Sequence, residues 1–222
     1  MSVLDAKTAQ TALDGLALLL LSVSIWSVIV RRLDSSIHLL VGQGLLLAAA
    51  TMVLALNSGS AHAYFTVLIT LLVKVIAVPG ILLVALRGLK VKREVELVIP
   101  TRLALLFAIG LVLIAYSVSG QLVVLEGSFS HNALPAAISM LLVGLLNMLI
   151  RKKALNQVIG LVAMENGLYL MAVVATKGLP LAVELGIAID LVIGVLVMGV
   201  FTRWIHRAFD STNTDHLRTL RG

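Results

Sequence analysis

Apolar residues run along this 222-residue chain in blocks of sixteen to twenty-five, separated by short polar or basic breaks. The blocks are continuously apolar rather than alternating. That favours helices over barrel strands, and runs of about 20 apolar residues are long enough to cross a bilayer. Seven spans are read: about 15–30, 37–56, 63–86, 103–118, a fifth opened by Pro135 and ending before Arg151, 154–176 and 179–203. Met1 to Asp14 reads as an exterior segment, Asn57 to Ser60 as a turn, and Gln121 to Asn132 as a loop with a partly apolar beginning. Pro100 suits a helix start, and Pro79-Gly80 interrupts the third span. No strong internal repeat or low-complexity tract stands out.

Composition agrees with the pattern. The chain is 60% hydrophobic and 13% charged, against roughly 45–50% and about 25% for soluble domains. The expected fold class is all-α: a polytopic, multi-pass protein of the cell (inner) membrane. Two regions are expected, 1–132 with four helices and 133–222 with three helices and a short tail.

The net charge of +6 does not point to nucleic acid as a partner, because the basic residues alternate with the spans. Arg31, Arg32, Arg87, Lys90, Lys92, Arg93, Arg102, Arg151, Lys152, Lys153, Arg203, Arg207, Arg218 and Arg221 fall on one side, against Lys7 and Lys177 on the other. The positive-inside rule then puts the N-terminus outside and the C-terminus in the cytoplasm. Because Arg31-Arg32 follow the first apolar run rather than precede it, that run reads as a retained helix and not a signal peptide.

With no cysteine, thiolate metal sites and iron–sulfur ligation by this chain are excluded. The five histidines, His38, His62, His131, His206 and His216, lie outside or at the ends of the apolar runs. The expectation is no metal, no cofactor, no catalytic residue, and redox chemistry in a partner if anywhere.

The candidate chemistry is ionisable groups inside the spans, where charge is costly: roughly +2.5 to +3.5 kcal/mol for a central lysine or aspartate. Lys74, Glu165 and Asp190 are mid-span. Glu184 is secondary, since it lies about one turn after Pro180, where solvent and the helix dipole can stabilise it. Lys74 should pair with an acid, face a polar interior or run as a neutral amine. Glu165 shares a helix face with Tyr169 and Leu161, with Asn166 beside it, while Asp190 is flanked at four residues either way by Gly186 and Gly194. Asn147 and Asn156 place polar groups near the basic ends of the fifth and sixth spans. Burial favours the proton on a carboxylate and a cationic neighbour favours its loss, so a lysine with two acids can hold a proton of adjustable affinity.

From Ile150 onward the chain resembles the three-helix K subunit of respiratory complex I and its relatives in multi-subunit cation/proton antiporters. The resemblance rests on Ile150-Arg151-Lys152-Lys153 and the helix bearing Ile159-Gly160-Leu161, Met164 and Asn166. An acid followed by Ile193-Gly194 and a short tail ending Arg221-Gly222 extend it. The longer seven-helix form resembles hydrogenase-4 component E, a membrane subunit of formate hydrogenlyase-type complexes. In that family two mid-membrane glutamates belong to a hydrophilic axis that passes protons. Asp190 matches the second. The first position is Val162 here, and Glu165 lies one turn further along.

The resemblance implies a non-catalytic subunit of a membrane-bound hydrogenase or complex I-like oxidoreductase. It would contribute to proton translocation beside antiporter-like and hydrogenase-anchor membrane subunits. An independent ion or proton transporter, or an antiporter subunit, is the alternative, although only the third span is interrupted as transporter helices often are. A retinal-type receptor fits poorly, with Lys74 on the third span and only 5% aromatic residues.

Overall fold

A computed structural model describes residues 5–59, 61–88, 97–126, 132–175 and 194. Its elements are α1 (Ala6–Ile29), α2 (Leu33–Ser58), α3 (Ala61–Thr70), a π-helical segment (Leu71–Ala77), α4 (Val78–Gly88), α5 (Thr101–Glu126), α6 (Ala133–Ile150) and α7 (Ala154–Ala175). Segment α3, the π-helix and α4 run on as one rod. Among the described residues six helices are long and apolar enough to cross a membrane, from Lys7–Ile29 to Leu155–Val174. The expected seventh span, 179–203, lies outside the described residues except for Gly194.

Two boundaries differ most from the sequence reading. Helix α1 begins at Ala6, so most of the segment read as exterior is helical, and its Asp14 carboxylate accepts the Asn132 backbone N–H at 3.0 Å. That bond ties α1 to the start of α6, at the opposite end of α6 from Arg151. Helix α5 runs through Glu126, so the start of the segment read as a loop is also helix. Leu122, Val123, Val124 and Leu125 continue its apolar run, and no proline or glycine stops it before Gly127.

The other ends follow local chemistry. Gly59 closes α2 in the left-handed region (φ 64°) and donates its N–H to the Ala55 carbonyl at 2.9 Å. Pro100 stands just before α5, and its carbonyl accepts the Ala104 N–H. Val98 N–H bonds to the Ile150 carbonyl at 2.8 Å, tying the approach to α5 to the α6–α7 turn.

The interruption at Pro79 takes a specific form. Proline has no N–H to offer the Val75 carbonyl, and the chain ahead of it widens into the π-helix, with Val78 N–H bonded to Val73. Lys74 sits at the centre of that widened turn and is buried. π-Turns occur often at functional sites.

Close packing holds the inner helices. A Cβ on Gly160 would stand 2.6 Å from the Met148 backbone nitrogen, and one on Gly44 would stand 2.8 Å from the Lys74 carbonyl oxygen. Small residues of this kind let helix backbones approach inside a membrane. Leu13, Leu20, Leu47, Met140 and Leu170 form one buried apolar cluster; Leu33, Ile37, Leu82, Leu155 and Ile159 form another. Outside the bundle, α5 exposes Leu106, Phe107, Leu113 and Ile114, a surface suited to lipid or to another apolar helix.

Candidate functional site

The polar residues at the centre of the bundle come from five different elements. The π-turn supplies Lys74, α7 supplies Glu165, Asn166 and Tyr169, α2 supplies Gln43, α1 supplies Ser24 and Ser27, and α6 supplies Asn147. All of them are buried, with Lys74 5% and Glu165 2% exposed.

Lys74 has its acidic partner in Glu165. The ammonium donates to Oε1 at 2.7 Å and Oε2 at 2.6 Å, and to Asn166 Oδ1 at 3.1 Å. An ammonium has three N–H groups and no acceptor, so these three acceptors match a protonated lysine. The ring of Tyr169 lies 4.8 Å from Nζ and adds a cation–π contact. Thr70 gives its hydroxyl proton to the Thr66 carbonyl, which leaves the Tyr169 hydroxyl to donate across the 2.6 Å link to Thr70 Oγ1.

From the lysine the polar groups continue towards the helix ends that carry Arg31, Arg32 and Arg151. Asn166 Nδ2 donates to Gln43 Oε1 at 3.0 Å, and Gln43 Nε2 donates to Ser24 Oγ at 3.0 Å. Ser27 Oγ donates to the Ser24 carbonyl at 2.6 Å and receives Asn147 Nδ2 at 2.8 Å. Arg151, 1% exposed, donates through Nη2 to the Ser27 carbonyl at 2.7 Å and to Asn147 Oδ1 at 3.4 Å, and through Nη1 to Ser36 Oγ at 3.5 Å. Burial lowers this guanidinium to about 10, so it remains a cation at neutral pH.

Of the residues singled out from sequence, Lys74, Glu165, Asn166 and Tyr169 therefore meet at one point. Asp190 and Glu184 lie outside the described residues. Gln43, Ser24, Ser27 and Thr70 were not anticipated. Uncharged polar residues are common enough in membrane helices to escape notice, and the one available signal was Gln43 standing between Gly42 and Gly44 in an otherwise apolar span.

The fold and site define a helical membrane bundle with a buried lysine–glutamate pair at its centre. The family model for NADH-ubiquinone/plastoquinone oxidoreductase chain 4L matches residues 132–222, the part that includes α6 and α7. Over 150 residues the chain is 32% identical to hydrogenase-4 component E of Escherichia coli, covering 67% of this chain and 69% of that one. The same identity and coverage hold for hydrogenase-4 component E of Shigella flexneri. An uncharacterized protein of Mycobacterium tuberculosis is 32% identical over 192 residues, 86% of this chain and 87% of the relative. The chain belongs to the hydrogenase-4 component E family, with a chain 4L-type region at its C-terminal end. No solved structure matches it.

Proposed function

We propose that the chain is a non-catalytic membrane subunit of a membrane-bound hydrogenase or complex I-like assembly, in which Lys74 and Glu165, with Asp190, take part in proton translocation or its coupling. The observation that carries this reading is the bidentate Lys74–Glu165 pair, buried mid-span within a chain of hydrogen bonds. Buried ion pairs seldom add net stability over an apolar packing. A pair retained at this depth is better accounted for by work on charge. Glu165 can take a proton as Lys74 turns away, and release it when the ammonium returns to both oxygens. Asn166 and Tyr169 hold the lysine in its paired position.

The membership in a family of hydrogenase components supports membrane-subunit partners. Antiporter-like subunits and the anchor of the hydrogenase arm are the proposed neighbours, with the seventh span, an outside N-terminus and a cytoplasmic C-terminus completing the topology. The 133–222 region then works as the chain 4L-like part, and the first four helices supply Lys74 and Gln43 to it.

Extraction in mild detergent tests the subunit reading. The tagged protein is expected to purify with large membrane and hydrogenase-type partners. Recovery of a lone 23.6 kDa chain that transports ions by itself would support an independent transporter instead.

A further inference from the structure

The hydrogen bonds between the ion pair and the arginine-rich end have a direction that chemistry imposes. Lys74 can only donate, so Asn166 must present its oxygen to it and its N–H₂ to Gln43. Gln43 in turn presents its oxygen to Asn166 and its N–H₂ to Ser24. From the other end Arg151 can only donate, so Asn147 presents its oxygen to the guanidinium and its N–H₂ to Ser27, whose hydroxyl bonds to the Ser24 carbonyl. The two strings point away from their cations and meet head-on at Ser24.

Proton hopping needs groups that accept on one side and donate on the other, all aligned one way. Amide N–H₂ groups do not accept, and the alignment reverses at Ser24. A cavity beside the string is lined by Ser27, Ser36, Gln43, Asn147, Arg151 and Gly160, among others, and leaves about 10 Å³ for a water's centre. That is the scale of a single molecule. Arg151 Nε, buried and with no acceptor among the described residues, is the donor that would hold it. A fixed arginine at a narrow polar point is a barrier to protons and other cations.

We propose that Arg151, with the opposed string from Asn147 to Asn166, is a proton- and cation-excluding seal that closes the arginine-rich end of the bundle. This rests on the reading of Lys74–Glu165 as a proton-handling pair. It adds that Glu165 exchanges protons by a different route, away from the arginine-rich end. Gln43 and the serines of α1 and α2 are positioning residues of the seal.

The test is passive proton leak, measured without turnover in liposomes carrying the assembled complex, with an internal pH dye and an imposed diffusion potential. Arg151→Gln keeps hydrogen-bonding capacity and removes the charge. It is expected to raise proton influx by about tenfold, the rate change for ~1.4 kcal/mol of barrier. Arg151→Lys, which keeps the charge, should stay near wild type. Arg151→Ser serves as a second charge-free variant should the glutamine form not assemble.

Adding Glu165→Gln to the leaking variant separates the two ideas. Return to the wild-type rate means that the leak runs through the ion pair, as proposed. A leak that persists keeps the seal and overturns the proton-handling role of Glu165. Wild-type tightness in an assembled charge-free variant overturns the seal and leaves the role of Glu165 standing.

Discussion

Replacing Lys74 with methionine lowers the thermal stability of the assembled protein sharply, and adding Glu165→Gln recovers part of the loss. Methionine fills much of the lysine's space but leaves Glu165, 2% exposed, without the ammonium that meets both its oxygens. The carboxylate must then stay as an uncompensated buried charge or bind a proton. Removing one partner of a buried pair costs about 3–5 kcal/mol, whereas removing both charges together is often close to neutral. The measurement is a double-mutant cycle on melting temperature in detergent, read by size-exclusion fluorescence. A double variant no more stable than Lys74→Met alone would show that the pair is not what ties the π-turn to α7.

The second large effect concerns Gly160. Alanine there brings a Cβ to 2.6 Å from the Met148 nitrogen and 2.9 Å from its Cα, both backbone atoms that cannot swing aside. Helices α6 and α7 must separate, with a loss of about 1–3 kcal/mol as for other overpacked sites. Because Gly160 also lines the small cavity beside Arg151, the separation disturbs the polar string as well. Gly110→Ala on α5, with nothing within 4 Å of the added carbon, is the matched control. Equal melting temperatures for the two variants would contradict the close packing of α6 on α7.

The six described spans were legible in the sequence because a bilayer demands apolar runs of a set length. Boundaries were less so. The start of α1 at Ala6 includes Lys, Thr and Gln residues that enter a helix without being apolar, and the extension of α5 through Glu126 continues past Gly120 and Gln121. Lys74 and Glu165 stood out because charge at mid-span is rare. Their contact did not, since 91 residues separate them and no spacing rule joins helices so distant in the chain. The π-turn shares this character: Pro79 announced an interruption, but only the tertiary setting widens the helix around Lys74. Ser24, Ser27 and Gln43 carry no charge, and only the packing of α1 and α2 against α6 and α7 gives them their partners Asn147 and Asn166.

Proton coupling through Glu165 and Asp190 is tested most directly by the number of protons moved per electron pair in vesicles bearing the assembled complex. Glu165→Gln with Asp190→Asn is expected to abolish or strongly reduce that number while electron transfer and subunit content persist. An undiminished proton yield in a double variant verified as fully assembled would contradict the account.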